Sequence, residues 1–183
     1  VVAIYDQRKK GKNKLFVRSL NAIFTNPDIE IIFICTPNFL NKDLTIRSLQ
    51  SGKHVFCEKP PALNAKEVKK IIKVEKKHKK ILMYGFNHRH HKSIEKIKKI
   101  VDSKKFGKIL WMRGRYGKSV EKGFYNNWRS KKKFAGGGIL IDQGIHMLDI
   151  FLYLVGNFDK VKASVTNLYW DLDIEDNVFA ILE

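Results

Sequence analysis

Short β-rich runs alternate with helical runs through residues 1–87, and this rhythm restricts the possible folds more than any other feature of the chain. Val1–Tyr5, Ile31–Cys35, His54–Cys57 and Ile81–Phe86 are rich in β-branched and aromatic residues and read as strands. Leu20–Thr25, Leu40–Ser51 and Ala65–His78 read as helices between them, with Pro27 and Gly52 placed as stops. Strands separated by helices are joined by right-handed crossovers, so an α/β fold with a parallel sheet is expected. In such sheets ligands sit beyond the carboxyl ends of the strands. Those ends read Asp6, then Thr36-Pro37-Asn38, then Glu58-Lys59-Pro60, then Asn87-His88-Arg89, so polar groups are expected along one edge.

A second constraint lies further on. Ile139–Val155 is apolar on nearly every side, which predicts a helix packed inside a domain rather than on its surface. Asp142, His146 and Asp149 interrupt it and fall within a wedge of roughly 60° on one face. Burying a carboxylate and an imidazole without partners is costly, so the groups either satisfy one another or face a cleft. An Asp one turn before a His can fix the ring's tautomer and favour its protonated form, as a general base requires. The same spacing serves a structural pair, and both readings stand at this point.

Two strand ends carry their own chemistry. Asp6 has the place where a dinucleotide fold sets the carboxylate for the adenosine ribose hydroxyls, and the Gly-rich turn about 20 residues earlier would then lie upstream of Val1. No GxGxxG occurs in the chain, and Gly136–Gly138 leads into the apolar helix instead. Arg8, Lys9 and Lys10 follow Asp6 and would neutralise a 2′-phosphate, so NADP stands beside NAD, with the carboxylate favouring NAD. Lys59 leaves its strand into Pro60-Pro61, which pins its backbone. A desolvated ammonium near a helix N-terminus loses proton affinity and becomes a useful donor, whereas an ordinary loop lysine is the alternative in so basic a chain.

That basicity is large: 36 Lys and Arg against 18 Asp and Glu give a formal charge of +18. Alone it suggests a polyanion partner. The lysines of Lys66–Lys80 and Lys92–Lys105, however, alternate with Ile and Val at helical spacing, as a solvated face does, and no zinc-finger or RNA-recognition signature accompanies them. No specific nucleic-acid partner is expected. His88, His90 and His91 lack Cys or acidic neighbours, so loop solvation is expected there rather than a metal site. Trp111, Trp170 and the Phe residues are expected in the core. Cys35 and Cys57 form no disulfide framework, which suits a reducing compartment and makes the cytoplasm the default. No run of about 18 unbroken apolar residues suggests a membrane span. The chain opens without Met and stops inside an apolar run, so a piece of a longer protein is expected.

Taken in order, CTPN at 35–38, GKHVFCEKP at 52–60, GFNHR at 85–89, WRSKKKFAGGG at 128–138 and DQGIHMLD at 142–149 resemble the glucose-fructose oxidoreductase, inositol dehydrogenase and rhizopine-catabolism family. The resemblance implies a Rossmann-like domain over residues 1–87, lacking its N-terminal part. It also implies the start of an α+β domain with a mostly antiparallel sheet over 88–183, beginning with strands at Lys160–Trp170 and Asn177–Leu182. It implies that Lys59 hydrogen-bonds a substrate hydroxyl and helps place the nicotinamide, that His146 accepts the proton, and that Asp142 assists. Thr36, Pro37, Glu58 and Asn87 would border the cofactor, and Trp128 with Arg129 would approach the cofactor or substrate. Asn41 departs from the family, which often has His there. The implied activity is hydride transfer between NAD or NADP and a sugar, cyclic polyol or nucleotide-sugar, in an oligomer. A noncatalytic dinucleotide-binding regulator is the alternative, against which the retention of Lys59, Asp142 and His146 argues.

Overall fold

A computed structural model describes residues 1–7 and 13–183. They form two compact units, one of residues 1–36 and 40–85, the other of residues 37–39 and 86–183.

In the first unit the elements run α1 (Leu20–Phe24), β1 (Ile31–Ile34), α2 (Asn38–Gln50, from residue 40 on), β2 (His54–Cys57), α3 (Ala65–His78) and β3 (Leu82–Tyr84). The strands lie in the order β1-β2-β3 and every pairing is parallel, with Ile31 opposite His54 and Val55 opposite Leu82. This is the parallel α/β arrangement the alternation predicts. Local chemistry sets the helix limits. The Asn64 side chain accepts the Glu67 N–H at 3.0 Å while the Glu67 carboxylate takes the Leu63 N–H at 3.0 Å, so two donors at the start of α3 are satisfied reciprocally. Lys76, Lys77 and His78 fill its last turn, where cations complement the helix dipole. Ile34, Leu49, Val55 and Cys57 form the buried centre, with Leu44, Val74, Leu82 and Tyr84 packed on it.

The opening run departs from expectation. Val1–Tyr5 is not a strand of this sheet; Ile4 makes a single parallel bridge to Phe16, through the Ile4 N–H to Leu15 O at 2.8 Å and the Val17 N–H to Ile4 O at 2.9 Å. An alternating apolar segment becomes a strand only where a neighbour takes its backbone groups along its length, and among the described residues one neighbour does so at one point.

In the second unit come α4 (Lys92–Asp102), α5 (Lys132–Ala135), α6 (Ile145–Val155), β4 (Val161–Thr166) and β5 (Asn177–Leu182), the two strands being antiparallel. A π-helical turn at Leu140–Gly144 leads directly into α6. The helix expected to be wholly inside is instead inverted: Gln143, His146 and Asp149 are buried, while Leu152 and Val155 are exposed. Residues 132–155 also prove long and apolar enough to cross a membrane by length and composition, contrary to expectation. Gly136, in the left-handed region at φ 89°, ends α5 and divides that stretch, within which Gln143, His146 and Asp149 are buried polar residues. Trp170 is buried as expected, but Trp111, Phe33, Phe106 and Phe179 are largely exposed. Aromatic type marks a residue able to be covered; whether it is depends on what packs over it, and among the described residues little does. One face of the β4–β5 pair, bearing Val161, Ala163, Val165, Val178, Ala180 and Leu182, is entirely apolar.

Candidate active site

In the first unit the carboxyl ends of β1 and β2 are tied together by one side chain. Asn41 is completely buried; its Oδ1 accepts the Thr36 hydroxyl at 2.9 Å, and its Nδ2 donates to Glu58 O at 3.3 Å and Pro60 O at 2.9 Å. The residue whose cofactor contact was in question therefore braces the segment that carries Lys59. Glu58 donates its N–H to Ile34 O at 2.9 Å, and its carboxylate accepts the Lys59 N–H at 3.3 Å. That carboxylate lies against Gly85, where a Cβ would come within 3.1 Å of Oε2, so a glycine gives it room. Lys59 is half-buried and its bond to Pro60 is cis. Burial pushes the Cys57 thiol up to about 12, so it stays protonated beneath this edge. Asp6 is exposed and follows the Ile4–Phe16 bridge rather than a sheet strand, which corrects its expected place. Arg8, Lys9 and Lys10 lie outside the described residues.

In the second unit Asn87 is exposed and opens a 3-10 turn, Asn87–His90. Arg89 from that turn donates Nε and Nη2 to the two carboxylate oxygens of Asp149 at 2.7 and 2.5 Å, a bidentate pair that consumes the charge of Asp149. Asp149 is accordingly an anchor for the turn. His88, expected to be a solvated loop residue, lies flat on His146 instead, with ring centroids 4.1 Å apart and planes at 17°. Stacking on a helix that passes beneath the turn is invisible to a reading of neighbours in sequence. His90 and His91 are exposed.

Asp142 stands in the π turn, where the Ile145 N–H reaches back to Leu140 O. Such turns widen a helix by one residue and recur at functional sites. Its Oδ2 accepts the Gln143 amide at 2.8 Å, and Arg129 Nε lies 3.9 Å from Oδ1 while the guanidinium covers the Trp128 ring at 4.4 Å. The structure thus brings Trp128, Arg129 and Asp142 together, and stacks His88 on His146. Pro37 is half-buried beside Asn38, whose Nδ2 donates to Ala135 O at 2.8 Å.

The start of this helix is fixed from the loop between β4 and β5. Glu175 accepts the Ile139 N–H on its backbone oxygen at 3.0 Å and the Leu140 N–H on its carboxylate at 3.1 Å. A Cβ on Gly138 would lie 1.9 Å from that backbone oxygen. The triple glycine therefore serves close approach, and it was the one sequence signal that could have pointed to Glu175. Asp149 apart, the bracing residues, Asn41 in the first unit and His88 and Glu175 in the second, were all missed as such.

Residues 1–86 match the family described as oxidoreductase family, NAD-binding Rossmann fold, and residues 94–183 match the GFO/IDH/MocA C-terminal domain. The chain belongs to the Gfo/Idh/MocA family of oxidoreductases. Within this family, levoglucosan dehydrogenase of Pseudarthrobacter phenanthrenivorans is 35% identical over 147 residues, 79% of this chain and 38% of its own length. A solved structure of levoglucosan dehydrogenase, in complex with NADH and levoglucosan, superposes with a TM-score of 0.82 at 28% identity, covering 92% of this chain and 48% of that one. The WlbA dehydrogenase of Chromobacterium violaceum, in complex with NADH and UDP-GlcNAcA, gives 0.78 at 25% identity, with 92% and 49% covered. The chain spans less than half the length of each of these Gfo/Idh/MocA relatives.

Proposed function

We propose that the chain is the part of an NAD-dependent oxidoreductase that carries its reacting groups, and that the enzyme passes hydride between the nicotinamide and a hydroxyl-bearing carbon of a sugar, cyclic polyol or nucleotide-sugar. Residues 1–87 form the dinucleotide-binding domain and 88–183 the start of the substrate and oligomerisation domain. The observation that carries the reading is His146, an imidazole buried at the mouth of a π turn in a Gfo/Idh/MocA C-terminal domain. The relatives named above, which act on or bind levoglucosan and UDP-GlcNAcA, support the substrate class.

The parallel sheet fits a dinucleotide at its carboxyl edge, where Thr36 and Glu58 are braced by Asn41 and Gly85 leaves space beside the carboxylate. Thr36, Pro37, Glu58, Lys59 and Asn87 border it, and Asp6 takes the ribose hydroxyls and so favours NAD over NADP. When bound, the nicotinamide supplies the hydride acceptor. His146 accepts the hydroxyl proton, Lys59 donates a hydrogen bond to the same oxygen and stabilises its developing charge, and Asp142 supports the protonated imidazole. Trp128 and Arg129 contact substrate or cofactor. The free thiols of Cys35 and Cys57 suit the cytoplasm, and the apolar face of β4–β5 suits a homo-oligomer of the full-length protein.

The pH profile of oxidation by the full-length enzyme under single-turnover conditions tests the roles. The rate rises through the imidazole range, since only the neutral ring accepts a proton. His146→Ala lowers it by roughly a hundredfold to ten-thousandfold with cofactor binding little changed, and Asp142→Asn moves the rise to lower pH. Lys59→Ala also lowers it, and the double variant loses less than the product of the two. A His146→Ala enzyme with a near wild-type rate and profile would remove the assignment.

A further inference from the structure

The His88 ring is not explained by the roles assigned above, and its position is specific. It lies 4.1 Å from His146 in a near-parallel stack; Tyr116 lies parallel to it at 6.0 Å, and His91 meets it edge-on at 5.3 Å. Phe86 meets the edge of the His146 ring at 6.3 Å. One imidazole is thus sandwiched into a short column of rings that starts at the 3-10 turn and ends on α6.

We propose that His88 is a positioning residue for His146: its stacked ring fixes the plane of the base and, through repulsion between two imidazolium charges, keeps His146 in the neutral form that accepts a proton. The proposal rests on the assignment of His146 as the base. Two rings at this separation disfavour double protonation, so the pair holds one proton over the range where both would otherwise titrate. His88 is the more exposed of the two, and water solvates the charge better there, so the proton resides on it.

Charged groups on the neighbouring elements have partners of their own. On α6, Asp149 is consumed by Arg89, which comes from the same turn as His88. On the π turn, Asp142 is approached by Arg129. Lys98 of α4 lies over Tyr153, 5.4 Å from its centroid, further along the helix. His91 and Tyr116 touch His88. The stacked imidazole therefore lowers the proton affinity of the base, against the Asp142 carboxylate, which raises it.

The test compares the full-length protein with His88→Phe, which keeps an aromatic ring and removes the charge, and with His88→Lys, which places a permanent charge there. The ring signals of His146 are followed by NMR against pH, alongside the pH profile of oxidation and NADH binding. His88→Phe is expected to raise the His146 midpoint and the rate profile together by about one pH unit, an order of tenfold in rate at a fixed pH below the midpoint. His88→Lys is expected to lower both. These opposite shifts are what a purely structural role would not produce, and either variant suffices if the other fails to fold. A His146 midpoint and profile that stay in place in a folded variant overturn the proposal while leaving His146 as the base; a near wild-type rate in His146→Ala overturns the base assignment itself.

Discussion

At the scale of single residues, the groups proposed to do chemistry were easier to read than the groups that hold them. Asp142 and His146 stood out as polar residues in an apolar run and Lys59 by its place between Glu58 and Pro60-Pro61, while the roles proposed for them came from the family resemblance. Asn41, His88 and Glu175 did not, since each acts on a partner far away in sequence: Asn41 on the Glu58 and Pro60 carbonyls, His88 on His146, Glu175 on the helix start. Asn41 left a faint trace, because Asn41, Thr45 and Ser48 fall at helical spacing and all three are completely buried. Glycine at 138 is the sharpest test of these contacts. Gly138→Ala places a methyl 1.9 Å from a backbone oxygen, which a flexible side chain cannot relieve. We expect a loss of about 1–3 kcal/mol or more, as overpacking costs elsewhere, read as a fall in Tm of several degrees, with Gly117→Ala, where a Cβ would meet nothing within 4 Å, as the neutral control.

Among the elements, the helices and the parallel strands followed from periodicity and caps, whereas the loop joining β4 and β5 did not. Residues 167–170, expected as the end of a Lys160–Trp170 strand, leave the sheet after Thr166, and Asp176 organises the loop they enter. Burial of its carboxylate alone would raise its pKa, but the backbone N–H groups of Leu168, Trp170 and Tyr169 and the Asn177 amide outweigh that and hold it at about 2. Because the folded value lies below the ordinary 3.8, the carboxylate contributes stability in full above that value, and the contribution is lost as pH falls toward about 2. Acid unfolding followed by circular dichroism should therefore show a loss of stability across that window which Asp176→Asn abolishes, the variant being the less stable of the two at neutral pH. The same substitution should speed hydrogen exchange at Leu168, Tyr169 and Trp170 first. The π turn is likewise absent from any apolar pattern: it is a property of hydrogen bonding at Leu140 and Ile145 that the residue types alone leave open.

For the whole molecule, charge is the feature most apt to mislead. A formal +18 attracts any polyanion, and the lysines of α3 and α4 supply it from solvated faces. DNA binding by the full-length protein should be micromolar or weaker, independent of sequence, and lost steeply with salt; nanomolar binding with a sequence preference would contradict it. Substrate choice is a separate matter. Arg129, over Trp128 and near Asp142, and Lys131, Lys132 and Lys133 are all exposed cations of that stretch. If they meet substrate, nucleotide-sugars should be turned over better than neutral polyols, and the advantage should shrink at high salt. Finally, α2 and α6 are both helices that turn polar side chains inward. Such interiors act as keys: a helix that slid or rotated by one position would strand Asn41 or Asp149 among groups that cannot answer them, whereas a greasy interface tolerates slippage. Refilling Asn41, Thr45 and Ser48 with apolar residues of similar volume is expected to keep the helical content while broadening the NMR spectrum, as the protein trades a single arrangement for several.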